Sequence, residues 1–129
     1  MAWMRVVLEL ARSRAFPEGS HNHGYEFVLP LDKEGRIDRT AYHAAPELCT
    51  VRRFWEGSED RIGTITRESR ERWMFSFHLG EMEDESIPHF AEHRFRAGEY
   101  LAVRETEGGE HTFRIVLVEP TPGLPGAQP

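Results

Sequence analysis

The chain has 129 residues, of which 39% are hydrophobic and 29% charged, and this composition is typical of a globular protein rather than a disordered one. Twenty-two acidic and 16 basic residues give a formal net charge of -6, which opposes a general role on phosphate backbones or anionic lipid, so neither nucleic acid nor a membrane is expected as a partner. A chain of this length is expected to form one domain.

The first part of the chain has two stretches in which apolar and polar residues alternate, and this period of two predicts half-buried strands. The apolar positions are Met4, Val6, Leu8 and Leu10 in the first stretch, and Tyr25, Phe27, Leu29 and Leu31 in the second. A short helix is predicted after them, because Asp38 is a suitable N-cap and Pro46 would end the helix.

Residues 48–79 have the pattern of an antiparallel meander. Three β-rich runs, 48–55, 61–67 and 72–79, are separated by short turn-like stretches. The odd positions of the third run are Trp73, Phe75, Phe77 and Leu79. Because side chains of a strand alternate between its two faces, we predict that this row faces the core.

The last third of the chain predicts a short helix, a hairpin and a tail. Ser86 and Pro88 indicate a helix start within 86–93, since proline is tolerated in the first turn. The runs 99–105 and 111–119 predict a hairpin. Its predicted inward residues are Leu101, Val103, Phe113, Ile115 and Leu117. Residues 120–129 contain four prolines and two glycines, and we expect a disordered tail there.

These elements predict an all-β domain over residues 1–119, with one or two short helices. An open sheet would leave its aromatic face in water, so the strands must close or fold over. We therefore expect a small antiparallel barrel of about six to seven strands. A flattened β-sandwich is the alternative.

Histidines are the most suggestive candidates for a chemical site, because the chain has seven of them. His89 and His93 are four apart, so on a helix they would share a face and offer two imidazoles to one metal ion. Glu85 or Glu92 would supply a carboxylate, and His78 on the neighbouring strand is the third imidazole. The spacing thus predicts a zinc or iron site made of His78, His89 and His93. The alternative is that the pair belongs to a solvated surface.

A second group of histidines resembles the first metal motif of the cupin family, in which a strand offers two histidines two apart and then a glutamate. Here His21-Asn22-His23 is followed by Glu26, and His111 is similar to the final histidine ligand of the later cupin strand. The resemblance implies a metal site made of His21, His23 and His111. It covers two short stretches, and two residues rather than three or four separate His23 from Glu26, so we do not assign the chain to the family.

Two further features have a structural and a functional interpretation. Arg52 and Arg53, beside Phe54 and Trp55, would suit an anion and a stacked base. The net negative charge favours the other interpretation, in which the arginines pair with Glu56, Glu59 and Asp60 across a hairpin. Cys49 lies in a predicted strand, where a cysteine is more often a small buried hydrophobe than a nucleophile.

The same composition predicts the source and the compartment. A single cysteine excludes an internal disulfide, and Arg5 and Glu9 interrupt the first apolar run, so we expect no signal peptide and a cytoplasmic protein. Lys33 is the one lysine among 16 basic residues, and this preference for arginine suggests a GC-rich bacterial genome.

The first hypothesis for function is a small bacterial cytoplasmic binding or interaction module. It would form a homodimer through four apolar positions expected on the outside, which are Trp3, Val7, Val116 and Val118. The second hypothesis is a metal-dependent, cupin-like enzyme that acts on a small molecule through the histidines above.

Overall fold

The chain folds into a closed antiparallel β-barrel of eight strands. The structure is a computed structural model, and it describes residues 1–77, 84–105 and 109–124. The strands are β1 (Ala2–Leu10), β2 (Ser20–Leu31), β3 (Thr50–Trp55), β4 (Arg61–Arg67), β5 (Trp73–Phe77), β6 (Glu85–Ile87), β7 (Tyr100–Glu105) and β8 (Gly109–Pro120). In the described ranges, no helix has both the length and the apolar character that a membrane crossing requires.

The order of the strands around the barrel is their order along the chain, because each strand pairs with the next and β8 pairs with β1. This confirms the predicted all-β class and the barrel, with one strand more than the upper end of the predicted range. The additional strand is β6, which lies where the sequence predicted a helix over 86–93. Glu85 and Ile87 are both buried, and this period of two belongs to a strand, but three residues are too few for the pattern to stand out.

The barrel interior is filled by the side chains that the alternation placed inward. Val6, Leu8 and Leu10 of β1 are buried, as are Phe75 and Leu101 of later strands. The remaining predicted inward positions that are buried are Tyr25, Phe27, Leu29, Leu31, Trp73, Phe77, Val103, Phe113 and Ile115. The described part of each predicted row thus faces the core in β2, β5 and β7, while Leu79 lies outside the described residues.

Leu117 is the inward prediction that is wrong, since 37% of this residue is exposed. The register between β1 and β8 shifts between Val7 and Leu8, which pair with Leu117 and Ile115. A β-bulge of this kind adds one residue to one strand and reverses the faces of the residues beyond it. The reversal turns Leu117 outward and lets Val118 pack against the core.

One end of the barrel is closed by the connections that contain the helical turns. The α-helix α1 spans Arg39–Ala44, and Asp38 caps it as predicted, because its Oδ1 accepts from the backbone N–H of Ala41 at 3.0 Å. Two single-turn 3-10 helices follow at Pro46–Leu48 and Phe90–Glu92. Tyr42 of α1 and Phe90 are buried in the common core, so this end of the barrel is apolar and filled.

The predicted tail begins at the last residue of β8, Pro120. The backbone N–H of Thr121 donates to the carbonyl of Trp3 at 3.0 Å, and Leu124 packs against the core. The chain is therefore held to β1 at Thr121 and to the barrel core at Leu124, beyond the end of β8. Residues 125–129 of the predicted tail lie outside the described residues.

The predicted dimer patch needs one correction. Trp3 is only 3% exposed and belongs to the core of its own chain, so it is not available to a second copy. Val7, Val116 and Val118 are half-buried. The apolar outer surface at this position is therefore smaller than the sequence predicted.

Candidate functional site

The end of the barrel opposite the helical turns is polar inside. Glu85 begins β6, Glu105 ends β7, and Arg53 lies two residues before the end of β3. Because neighbouring strands run antiparallel, these strand ends meet at the same mouth of the barrel. We call Tyr25, Arg53, Glu85 and Glu105 the polar cluster.

Alternation turns these charged side chains inward. Arg53 stands two residues after Val51 and two before Trp55, and Glu105 stands two residues after the buried Val103. Arg53 is 8% exposed and Glu85 1%. A charged side chain is seldom this deeply buried unless it is paired. The role of the polar cluster therefore depends on how its members pair with one another.

Tyr25 and Arg53 are the partners of the Glu85 carboxylate. The hydroxyl of Tyr25 donates to Glu85 Oε1 at 2.6 Å, a short bond of the length typical of a donor to a charged oxygen. Arg53 Nε lies 3.8 Å from Glu85 Oε2, and Arg53 Nη2 lies 3.5 Å from Glu105 Oε1. The guanidinium therefore forms ion pairs with both carboxylates but is too far from Glu85 for a hydrogen bond.

Two buried atoms of this cluster have no hydrogen-bond partner among the described residues, and they are Arg53 Nε and Glu85 Oε2. One is a donor and the other is an acceptor, and 3.8 Å separates them. Leaving a buried polar atom without a partner costs about 1–3 kcal/mol, and more for a charged group. Such atoms in a native protein therefore require an explanation, of which a bound molecule is one.

Burial and neighbouring charge make Glu85 an unusual acid. Burial raises the pKa of its carboxyl from 4.5 to about 7, the Tyr25 hydrogen bond and the Arg53 charge oppose this rise, and the Glu105 charge adds to it. Burial and the charge of Glu85 also raise the pKa of Tyr25 well above 10.0, so Tyr25 stays a hydrogen-bond donor. Glu85 can therefore gain or lose its proton near neutral pH.

Three rings surround the outer side of the polar cluster, and we call His23, Trp55 and His111 the aromatic cover. The Arg53 guanidinium carbon lies 4.3 Å from the centre of the Trp55 ring, which is a cation-π contact. The ring centres of His23 and Trp55 are 4.4 Å apart, and those of Trp55 and His111 are 5.8 Å apart. Trp55 is half-buried, so it separates Arg53 from the mouth of the barrel.

The adjacent arginine has a different role. Arg52 points to the outside of the barrel, where Nη2 donates to Glu26 at 3.0 Å and Nη1 donates to Asp60 at 2.8 Å. Glu26 also accepts two hydrogen bonds from Arg5. These ion pairs connect β1, β2 and β3 on the outer face. Arg52 therefore pairs with nearby acidic residues, as the structural interpretation predicts, whereas Arg53 turns into the barrel.

The predicted zinc or iron site stays a prediction. His78 lies outside the described residues. His89 and His93 both line an outer groove of about 310 Å³, but no helix presents them on one face, since His89 has a left-handed backbone and lies before a single 3-10 turn. His89 Nδ1 lies 3.2 Å from Glu92, and His93 Nε2 lies 3.3 Å from the carbonyl of Pro88.

The cupin-like histidines separate at a bulge in β2. The pairing with β1 shifts there, so that Glu9 pairs with Gly24 and Leu10 with Ser20. His21 is exposed and lies 2.6 Å from Glu9, whereas His23 is buried. The three members of the implied set are thus divided, with His23 and His111 in the aromatic cover and His21 outside.

Over residues 1–77, 84–105 and 109–124, no three His, Cys, Asp or Glu side chains are grouped so that they could hold a metal ion. The lone thiol is no substitute ligand or nucleophile. Cys49 is fully buried between a 3-10 turn and β3, and burial raises the pKa of its thiol to about 12.

The polar cluster was missed as a site by sequence reasoning, although a signal for it exists. Arg53 and Glu105 occupy inward positions of runs whose other inward residues are apolar or aromatic. A charged residue at such a position must be paired or functional. The sequence indicates Glu85 as a carboxylate ligand of a metal ion, but it does not predict β6, the strand that turns this side chain into the barrel.

Comparison with known proteins found no match to a protein-family model, to a curated protein or to a solved structure.

Proposed function

We propose that the protein is a binding protein that takes a small polar molecule into the polar end of its barrel. The observation that carries this proposal is the pair of buried atoms without partners, Arg53 Nε and Glu85 Oε2. An eight-stranded barrel is wide enough for its side chains to fill the interior or for one small ligand to enter. Here the interior is apolar and filled at one end and polar and incompletely paired at the other.

The residues of the cluster are suited to binding rather than to stability. Replacing a whole buried ion pair by well-packed apolar residues is often neutral or stabilising, although removing one partner alone is costly, so the burial of Arg53 with Glu85 is weak evidence for a purely structural role. Convergent polar groups in an otherwise apolar interior are the usual pattern of a small-molecule site. The aromatic cover supplies the apolar part of such a site.

The proposed compartment is the cytoplasm of a bacterium. The single cysteine, Cys49, is buried and has no partner for an internal disulfide, which suits a reducing compartment. The preference for arginine over lysine supports a GC-rich bacterial source. Both statements depend on composition.

A homodimer stays a prediction. Its surface would consist of Val7, Val116 and the exposed Leu117, because Trp3 is buried and Val118 packs against the core of its own chain. Sedimentation velocity at two protein concentrations tests it. A single species of monomer mass at both concentrations would rule it out.

The binding function is tested by screening a library of small polar compounds by ligand-observed NMR against the wild type and Arg53→Met. We expect compounds that bind the wild type and lose binding in this variant. Arg52→Met is the matched control, because Arg52 is the next residue in the chain but lies on the outer face. Its hits should be those of the wild type.

Two results would contradict the proposal. One is a library without any binder. The other is a set of binders that Arg53→Met leaves unchanged, because binding would then occur elsewhere. Circular dichroism of both variants ensures that a lost signal reflects binding and not unfolding.

A further inference from the structure

The two atoms without partners define what a ligand must offer. Arg53 Nε needs an acceptor, Glu85 Oε2 needs a donor, and 3.8 Å separates them. The other Glu85 oxygen is already occupied by the Tyr25 hydroxyl. A ligand therefore has to present an acceptor and a donor close together on one edge.

The charges of the cluster exclude ionic ligands as good partners. An anion that accepted from Arg53 would lie beside the carboxylates of Glu85 and Glu105, which pair with the same guanidinium. A cation that donated to Glu85 would lie beside the guanidinium. In a buried site each of these like-charge contacts is costly, whereas an uncharged group satisfies both atoms without one.

We infer that the ligand is an uncharged molecule with a cis-amide edge, of the lactam, cyclic urea or cyclic imide class, whose carbonyl accepts from Arg53 and whose N–H donates to Glu85. This inference rests on the proposed binding function and names its ligand class. In a cyclic amide the carbonyl oxygen and the N–H point to the same side. The edge is therefore complementary to one donor and one acceptor set side by side.

The surroundings favour a flat ligand. The ring centre of Tyr25 lies 4.8 Å from that of Phe75 and 5.1 Å from that of Phe113, so aromatic rings line the inner side of the cluster. Trp55 lies on the outer side, over Arg53. Rings pack well against rings, so a planar amide ring suits these neighbours better than a branched chain does.

The inference has a pH dependence with a definite sign. An N–H of the ligand pairs with the ionised carboxylate of Glu85, so binding is tighter above pH 7 than below it. Among the described residues, the titratable and charged groups that act on Glu85 are Tyr25 on β2, Arg53 on β3 and Glu105 on β7. The residue of β5 that pairs with Glu85 is the uncharged Phe75.

The experiment is an NMR titration that follows the Arg53 side-chain N–H signal, assigned by its loss in Arg53→Met. The probes are δ-valerolactam, its N-methyl derivative, cyclohexanecarboxylate and cyclohexylammonium. We expect the lactam to move this signal with a Kd at least about tenfold lower than that of the N-methyl derivative, which has lost one hydrogen bond. The lactam should also bind about tenfold more tightly at pH 8 than at pH 6.

Glu85→Gln should bind the lactam without this pH dependence, and the exposed Glu110→Gln should retain it. The inference is wrong if the carboxylate or the ammonium probe binds more tightly than the lactam, or if the N-methyl derivative binds equally well. It is also wrong if no probe moves the Arg53 signal. In that last case the proposed function still stands when the compound library contains binders that need Arg53, and it fails with the inference when the library contains none.

Discussion

Glu85 is the residue at which the requirements of folding and of the proposed binding conflict most. It is 1% exposed, its carboxyl faces an arginine without a hydrogen bond, and a second carboxylate approaches the same guanidinium. Burial disfavours the charged form of an acid, whereas the charged form is the better acceptor for the proposed ligand. The residue therefore makes the stability of the barrel depend on pH.

The free energy of unfolding should fall as the pH rises from about 4.5 to 7. The folded state raises the pKa of Glu85 from 4.5 to about 7, so across this window the native chain holds a proton that the unfolded chain has lost. Glu85→Gln removes this contribution. Between pH 5 and pH 8 the wild type should lose about 2–3 kcal/mol more stability than the variant, as measured by urea unfolding at both pH values.

An exposed acid provides the control for this measurement. Glu18→Gln changes the charge by the same amount at an exposed position, so this variant should keep the pH dependence of the wild type. An equal pH dependence in the wild type and in Glu85→Gln would show that Glu85 ionises in the folded state as it does in the unfolded chain.

At the scale of the elements, two glycines permit neighbouring strands to pair closely. A Cβ added to Gly63 on β4 would lie 1.9 Å from the carbonyl oxygen of Ser76 on β5, and one added to Gly24 on β2 would lie 1.9 Å from that of Leu8 on β1. A backbone carbonyl in a strand has no room to move aside. These positions therefore require glycine for space, not for an unusual φ angle.

Gly63→Ala should destabilise the barrel much more than Gly57→Ala. The first adds a methyl group where backbone already lies and should cost about 3 kcal/mol or more. At Gly57, with a φ of +85°, a Cβ would meet nothing within 4 Å, so the cost is the left-handed conformation, about 1 kcal/mol. Thermal unfolding of the two variants measures the difference, and equal midpoints would contradict the packing argument.

At the scale of the whole molecule, closure of the barrel decides which residues can meet. β8 pairs with β1, so the described sheet is continuous around the barrel and its interior has two ends of opposite character. The helical turns fill one end with Tyr42 and Phe90, and the polar cluster occupies the other. The candidate metal residues His89 and His93 line the outer groove, and they flank the 3-10 turn that carries the buried Phe90.

The predicted site of His78, His89 and His93 is tested by removing metal. If it binds zinc or iron, protein purified without a histidine tag carries about one equivalent of the metal, and a chelator lowers the thermal midpoint of the wild type but not that of His89→Ala. A midpoint that the chelator does not shift, with less than one equivalent of metal, would contradict the site. His43→Ala is the control, since His43 pairs with Arg67 elsewhere on the surface.

The alternation of apolar residues was sufficient to predict the class of fold and most of the core, because a period of two is a property of the strand itself. It predicted the inner faces of β1, β2, β5 and β7 and the Asp38 cap of α1. It failed where pairing changed the register, as at Leu117 and between His21 and His23, since a bulge depends on the partner strand. It also failed for β6, which is too short to show a period.

The polar cluster depends on contacts between residues far apart in the chain. Tyr25, Arg53 and Glu85 come from three strands, and no local pattern indicates that their side chains meet. The position of each residue within its strand is a local property, and it allows each side chain to face inward. The ring of paired strands then brought them to one end and left two polar atoms unpaired, because closure fixes all eight registers together.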